Sequence, residues 1–146
     1  MNRQQAVVIG AGKLGCQIAN DLSQSGANVT VLDMKKEAFE RLNEFSGFTK
    51  VGDGTNASIL RELGLTENST LVLTTQEDNV NLFIADVAQL LFGVQDIYVR
   101  LADKNKTKLI TNENIHPICP FLLSISYFHS LREKGYQPDE SGRGRR

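Results

Sequence analysis

Cysteine, histidine and excess charge of either sign are all scarce in this chain, and each scarcity excludes a class of function. Two cysteines, Cys16 and Cys119, occur in 146 residues. They lie far apart and form no metal-ligand spacing, so they read as small buried residues of a protein kept in a reducing compartment. The two histidines, His116 and His129, stand in no Ser–His–acid or Cys–His arrangement, so no catalytic set is legible. The formal net charge is −1, which argues against nucleic acid or an anionic lipid surface as partner. No apolar run approaches the ~20 residues needed to span a bilayer. The opening MNRQQ leads straight into an apolar run without a signal-peptide pattern, so a cytoplasmic protein is expected. The length suits one domain, expected over residues 1–135. The one biased segment, SGRGRR, belongs to an expected flexible basic tail over 136–146.

What is present is a regular alternation of short apolar runs and helical patterns. Strands are expected at 6–9, 29–33, 48–53, 69–75 and 96–103, with a brief sixth before the last helix. Helices are expected over LGCQIANDLSQSG, KKEAFERLNEF, GTNASILRELG with Thr55 as N-cap, NVNLFIADVAQLLFG, 104–111, and PFLLSISYFHSLREKG. Strands alternating with helices imply a parallel sheet covered on both faces. With a glycine-rich first turn, the expected class is a Rossmann-type doubly wound α/β fold of six strands, order 3-2-1-4-5-6.

That turn is VVIGAGKLG. Gly10 allows a tight strand-to-helix turn, Gly12 lets backbone N–H groups approach a pyrophosphate, and Gly15 lets helix and strand pack closely. The helix N-terminus adds partial positive charge where an anion would sit. Asp33 follows Gly15 by 18 residues, near the separation at which an acid meets a ribose diol; its other reading is a cap for the helix near Lys35. The same acid disfavours a 2′-phosphate, despite Lys35 and Lys36. Ligands of such sheets bind outside the carboxyl ends of the strands. Those ends carry Gly10 to Gly12, Asp33, Gly52 to Thr55, Thr74, Thr75 and Asp78. Arg100 interrupts the fifth strand, and a charge there needs an anionic partner. An ion pair with Asp53 or Asp78 and a ligand phosphate are both open. Lys13 either reaches solvent or folds over phosphates as a point charge.

The segments VVIGAGKLG, VLD, VGDGTN, TTQEDNVN and VRLAD, in this order, resemble the nucleotide-binding half of the RCK domains, also called TrkA-N or KTN, of Trk- and Ktr-type potassium uptake systems. The G-D-G-T loop and the T-x-x-D-x-x-N spacing of Thr75, Asp78 and Asn81 are more specific than the glycines. The resemblance covers roughly residues 6 to 135. It implies binding of NAD(H), ATP or ADP and a regulatory rather than an enzymatic role. It also implies a homodimer or higher oligomer, pairing through the last helices beneath a potassium-transporter membrane subunit, at the inner face of the membrane. Carried over by position, Gly10, Ala11, Gly12, Lys13 and Leu14 would cradle phosphate. Asp33 would hold the ribose with Met34 beside the adenine. Asp53, Gly54 and Thr55 would flank the adenosine, and Thr74, Thr75 and Arg100 would line the rest of the crevice. Many members carry a second, C-terminal ligand domain, which here is expected either to be a separate polypeptide or not to be needed. A nucleotide sensor with another partner and a truncated NAD-dependent oxidoreductase are the competing readings. The last helix, with Phe121, Leu122, Ile125, Tyr127, Phe128 and Leu131, carries more apolar surface than one helix edge needs, as a dimer surface would.

Overall fold

The computed structural model describes residues 3–134 and the two-residue strands Gln137–Pro138 (β7) and Gly144–Arg145 (β8), which pair antiparallel. Apart from those strands, the basic tail expected over 136–146 lies outside the described residues. Six parallel strands form one sheet in the order β3-β2-β1-β4-β5-β6. They are β1 (Gln5–Ile9), β2 (Asn28–Asp33), β3 (Phe48–Val51), β4 (Thr70–Leu73), β5 (Asp96–Arg100) and β6 (Ile115–Ile118). The expected Rossmann-type order is the observed one.

The pleat divides the core in two. Val7, Ile9, Leu32, Leu71, Leu73, Ile97 and Val99 project to one face, where α2 (Ala57–Glu62) and α3 (Asp78–Phe92) cover them with Leu60, Ile84, Ala85 and Ala88. Ala6, Val8, Val29, Val31 and Val72 project to the other, under α1 (Lys13–Gln24). Full burial of each such Leu, Ile or Val is worth about 1.5–3 kcal/mol, so the continuous apolar runs of β1 and β4 follow from having helices on both sides.

Only half of the second face is covered. On the α1 side the helical layer ends near β4, and β5 and β6 present half-buried Tyr98 stacked on exposed His116, ring centroids 5.1 Å apart. The expectation of helices over both whole faces fails there, since no helix among the described residues packs on that side of β5 and β6. The segments expected to be helices at 35–45 and 104–111 form only short 3₁₀ turns, Lys36–Arg41 and Lys104–Leu109, with no buried residues. Without buried residues there is little to stabilise a longer helix. Phe39 and Leu42 still rest partly on the core.

The seam of α1 also differs from its periodic pattern. Leu14, Ile18 and Leu22 are only half-buried, whereas Gly15, Cys16, Ala19 and Asn20 face the sheet. Small residues let the helix axis approach the strands closely, and the larger side chains fill the flanks. Gly26, with φ +96°, and Gly93, with φ +68°, end α1 and α3 in the left-handed conformation.

The last helix, α4 (Pro120–Glu133), has no buried residue, and Phe121, Leu122, Leu123, Ile125, Tyr127 and Phe128 are each 42–61% exposed. It projects from the body instead of closing the uncovered face. Its N-cap, Cys119, directly follows β6, which leaves almost no connector for folding back.

The tightest join is at Gly15. A Cβ there would lie 2.0 Å from the carbonyl oxygen of Gly10 and 2.5 Å from Thr74 Oγ1. Gly15→Ala is expected to lower stability by about 3 kcal/mol or more, because the obstacle is mostly backbone and cannot rotate away. Urea unfolding checks this, and a loss under about 1 kcal/mol would show the turn to be far softer than its packing implies.

Candidate functional site: the carboxyl edge of the sheet

The glycine turn divides its work among its residues. Gly10 has φ +104° and donates its N–H to Leu32 O at 2.9 Å. A Cβ on it would meet the Thr74–Thr75 peptide at 2.6 Å. Gly12 caps α1 with no side-chain partner, and a Cβ on it would meet nothing within 4 Å. The open volume thus lies over Gly12 and the first turn of α1, which ends in free N–H groups with partial positive charge. Lys13 is exposed at the first position of that helix, and Leu14 is half-buried.

Asp33 ends β2 and faces the turn. Its Oδ2 accepts from Ala11 N at 2.8 Å and its Oδ1 from Lys35 N at 2.8 Å. The carboxylate therefore braces both the glycine turn and the chain after β2. Its lone pairs are not exhausted by these bonds, so a diol can still be held. The helix-cap reading of Asp33 is not realised as such, since the following 3₁₀ turn has Lys35 at its N-cap without a side-chain bond. Met34 beside it is 69% exposed, an apolar platform on the rim.

At the end of β3, Asp53 Oδ1 accepts from Thr55 N at 2.9 Å and from Thr55 Oγ1 at 2.7 Å. Those two bonds hold the Asp53 carboxyl below its ordinary range. Thr55 is thus spent on Asp53, and the cap of α2 is Asn56, whose side chain accepts from Ser58 N at 2.9 Å. Gly54 is buried, and a Cβ on it would sit 3.0 Å from Ile84 Cδ1 and Ile9 Cγ2. Packing explains this glycine without any ligand. A groove of about 570 Å³ lined by Lys36, Glu37, Phe39, Glu40, Thr49 and Val51 runs beside the edge strand, and no glycine-turn residue lines it.

Thr74 turns inward, donating from Oγ1 to Gly10 O at 2.9 Å, and is 6% exposed. It shapes the turn and leaves Thr75 at the crevice. Arg100 is the last residue of β5, not an interruption of its middle, which removes the cost of burying it. It makes no ion pair with Asp53 or Asp78; the one ion pair among the described residues is Lys50–Glu62 at 2.8 Å. Its charge is thus left at the same edge as Gly12 and Asp33.

The residues that hold this edge together are Asp78 and Asn81. Asn81, fully buried, accepts at Oδ1 from Thr75 N (3.1 Å) and Thr75 Oγ1 (2.6 Å) and donates from Nδ2 to Thr75 O (3.1 Å) and Arg100 O (2.9 Å). Asp78 accepts from Ala102 N at 2.8 Å and Asp103 N at 2.9 Å. It does not cap its own helix, whose N-cap is Glu77. The T-x-x-D-x-x-N spacing was visible in sequence. The partners in the β5 loop are 19 to 25 residues away, so no local pattern reveals them.

With this geometry established, comparison with known proteins decides the family. Residues 6–119 match the TrkA-N domain. The chain belongs to the TrkA-N domain family. A relative from Streptomyces coelicolor, named a Trk system potassium uptake protein TrkA, is 33% identical over 104 residues, covering 70% of this TrkA-N chain and 47% of the relative. The chain spans about half or less of the Trk relatives it matches. Among solved structures, the NAD(P)-binding domain of an exopolyphosphatase-related protein from Archaeoglobus fulgidus superposes with a TM-score of 0.74 at 23% identity, covering 90% of this chain and 99% of that one. The Kef C-terminal domain of Shewanella denitrificans, in its AMP-bound form, gives 0.67 at 17% identity, covering 90% and 82%. At these identities the two structures establish a shared fold.

Burial pushes the Asp78 carboxyl up, but the Ala102 and Asp103 N–H groups, helped by Lys106 and Arg100, outweigh it and hold the carboxyl below its ordinary value. The folded pKa lies under the unfolded one. The stabilisation is therefore complete above about pH 4 and is lost as pH falls through the lowered folded value. Asp78→Asn is expected to be less stable than wild type at pH 7, with the gap narrowing from pH 5 to pH 3. Urea midpoints across that range check it; a constant gap would mean that the charge of Asp78 contributes nothing.

Proposed function

We propose that this chain is a nucleotide-binding regulatory module that controls potassium transport through a membrane partner. The observation that carries the reading is the open volume over Gly12, flanked by Asp33 on one side and the unpaired Arg100 on the other, in a chain of the TrkA-N family. An adenine nucleotide or NAD(H) fits this edge. Gly12 and the α1 N-terminus take phosphate, Asp33 takes the ribose diol, and Met34 lies beside the adenine. Asp53 and Thr55 flank the adenosine end. Lys13, Thr75 and Arg100 stand toward the far phosphates. The AMP bound to the Kef domain and the NAD(P)-binding domain of the Archaeoglobus protein support this ligand class, since both share the fold.

A regulatory rather than catalytic role is supported by where the histidines lie. His116 stacks on Tyr98 within the sheet, and His129 packs on Phe128 of α4; neither stands at the carboxyl edge. The name of the Streptomyces relative points to a Trk-type transport subunit as partner. No helix among the described residues is long and apolar enough to cross a membrane; the names of the Trk relatives support regulation from the cytoplasmic side through that subunit. The exposed apolar α4 supports self-association as a homodimer or larger assembly.

Asp33→Ala is expected to weaken ADP and NAD(H) binding by about 1–3 kcal/mol, the usual worth of hydrogen bonds to a charged group. Calorimetry giving equal affinity would remove Asp33 from the site. Neutralising Lys13 or Arg100 is expected to harm ATP binding more than AMP binding; equal losses would assign both cations a structural role. Sedimentation is expected to show a dimer at micromolar concentration, which Ile125→Glu dissociates. A monomeric wild type, with and without nucleotide, would end the dimer reading. Co-purification with a potassium-transport membrane subunit, changed by nucleotide, tests the function as a whole.

A further inference from the structure

The crevice and α4 are joined by one short stretch of chain. Arg100 O is held by Asn81. Leu101, fully buried, donates its N–H to Ile118 O at 2.9 Å, at the end of the strand that leads into α4. The N–H groups of Ala102 and Asp103 are both held by Asp78. Asp103 Oδ1 then caps the Lys104–Leu109 turn through Asn105 N at 2.8 Å. Lys104 Nζ lies 5.6 Å from the centroid of the Phe121 ring, in the first turn of α4. Five consecutive residues thus run from a cation at the nucleotide edge to the root of the exposed helix.

Two buried side chains on α3 fix that stretch from below. Asn81 ties the ends of β4 and β5 to each other, using both ends of its amide. Asp78 is 8% exposed and forms no ion pair, so those two backbone N–H groups are its principal compensation. A buried carboxylate left without them is costly, so the loop is tied to α3. A phosphate drawing on Arg100 would pull on the peptide that Asn81 holds and, through the Asp78-bound loop, on the segment that Lys104 joins to Phe121.

We propose that Asp78 and Asn81 are positioning residues that transmit nucleotide occupancy of the carboxyl edge to α4. The proposal rests on the nucleotide reading above. Spatial continuity alone does not establish coupling, so the test reads the response of α4 and not stability. Calorimetry with ADP, ATP and NAD⁺ comes first. Hydrogen exchange is then measured on peptides covering 100–104 and 120–128, with and without saturating nucleotide. In the wild type, nucleotide is expected to change exchange in both segments, by about fivefold or more in α4, within the usual range of coupling between sites. In Asp78→Asn at saturating nucleotide, the α4 response is expected to disappear, whatever the change in affinity. Lys104→Ala, a change at an exposed side chain, is expected to diminish the response with binding unchanged, and it decides the matter if Asp78→Asn does not fold.

Failure of the wild type to bind any of the three nucleotides would overturn the nucleotide reading and this proposal together. Binding without any change in α4 overturns the proposal alone. So does a full α4 response in nucleotide-bound Asp78→Asn, or an unaltered response in Lys104→Ala.

Discussion

The contact on which the rest depends is the seat of Gly15 on the carbonyl of Gly10, with Thr74 Oγ1 beside it. Without a Cβ at Gly15, α1 can lie directly against the turn that leaves β1. That approach sets the N-terminus of α1 at the carboxyl edge of the sheet, open over Gly12. The remaining elements then take their places around it. Asp33 braces Ala11 from β2, and the Thr74–Thr75 peptide closes beneath Gly10 from β4. The anion-seeking end of a helix and a carboxylate suited to a diol thus meet at one edge because one residue is small.

The other half of that edge is held by polar side chains instead of close packing. Asn81 and Asp78 satisfy backbone groups at the ends of β4 and β5, where strand pairing stops and N–H and C=O groups would otherwise lack partners. A network fully satisfied in this way is rigid in its geometry, since each bond lost leaves a buried group unpaired. Arg100 keeps a defined backbone position while its charge stays unpaired. A side chain so placed suits anion recognition better than one locked in an ion pair.

Fold and assembly are linked by what the chain does not cover. Two segments that would lengthen into helices in a fuller version of this architecture are short 3₁₀ turns, and the sheet beyond β4 stays open on the α1 side. The apolar α4 stands away from its own body, with Phe121, Leu123, Tyr127 and Phe128 at least half exposed. Apolar surface of this extent favours association, and Lys104, which follows the loop held by Asp78, lies over the Phe121 ring at the root of that helix.

By itself the sequence determined the fold class, the strand order and the glycine turn, because each is encoded by a local signal. Unbroken apolar runs mean strands buried on both faces, alternation with helices means parallel pairing, and G-x-G-x-x-G followed by Asp33 marks the turn and its acid. Tertiary structure decided the roles of individual side chains. Thr55 reads as a helix cap, yet it serves Asp53, and Asp78 beyond the end of β4 serves a loop 24 residues away. Gly54 and Thr74 read as ligand contacts, yet both are buried against their own fold. Arg100 read as a charge within a strand, yet it stands at the strand's end. In each case the local pattern names the chemical group but not its partner. Partners are set by which elements the packed sheet brings together, across separations at which sequence carries no periodic signal.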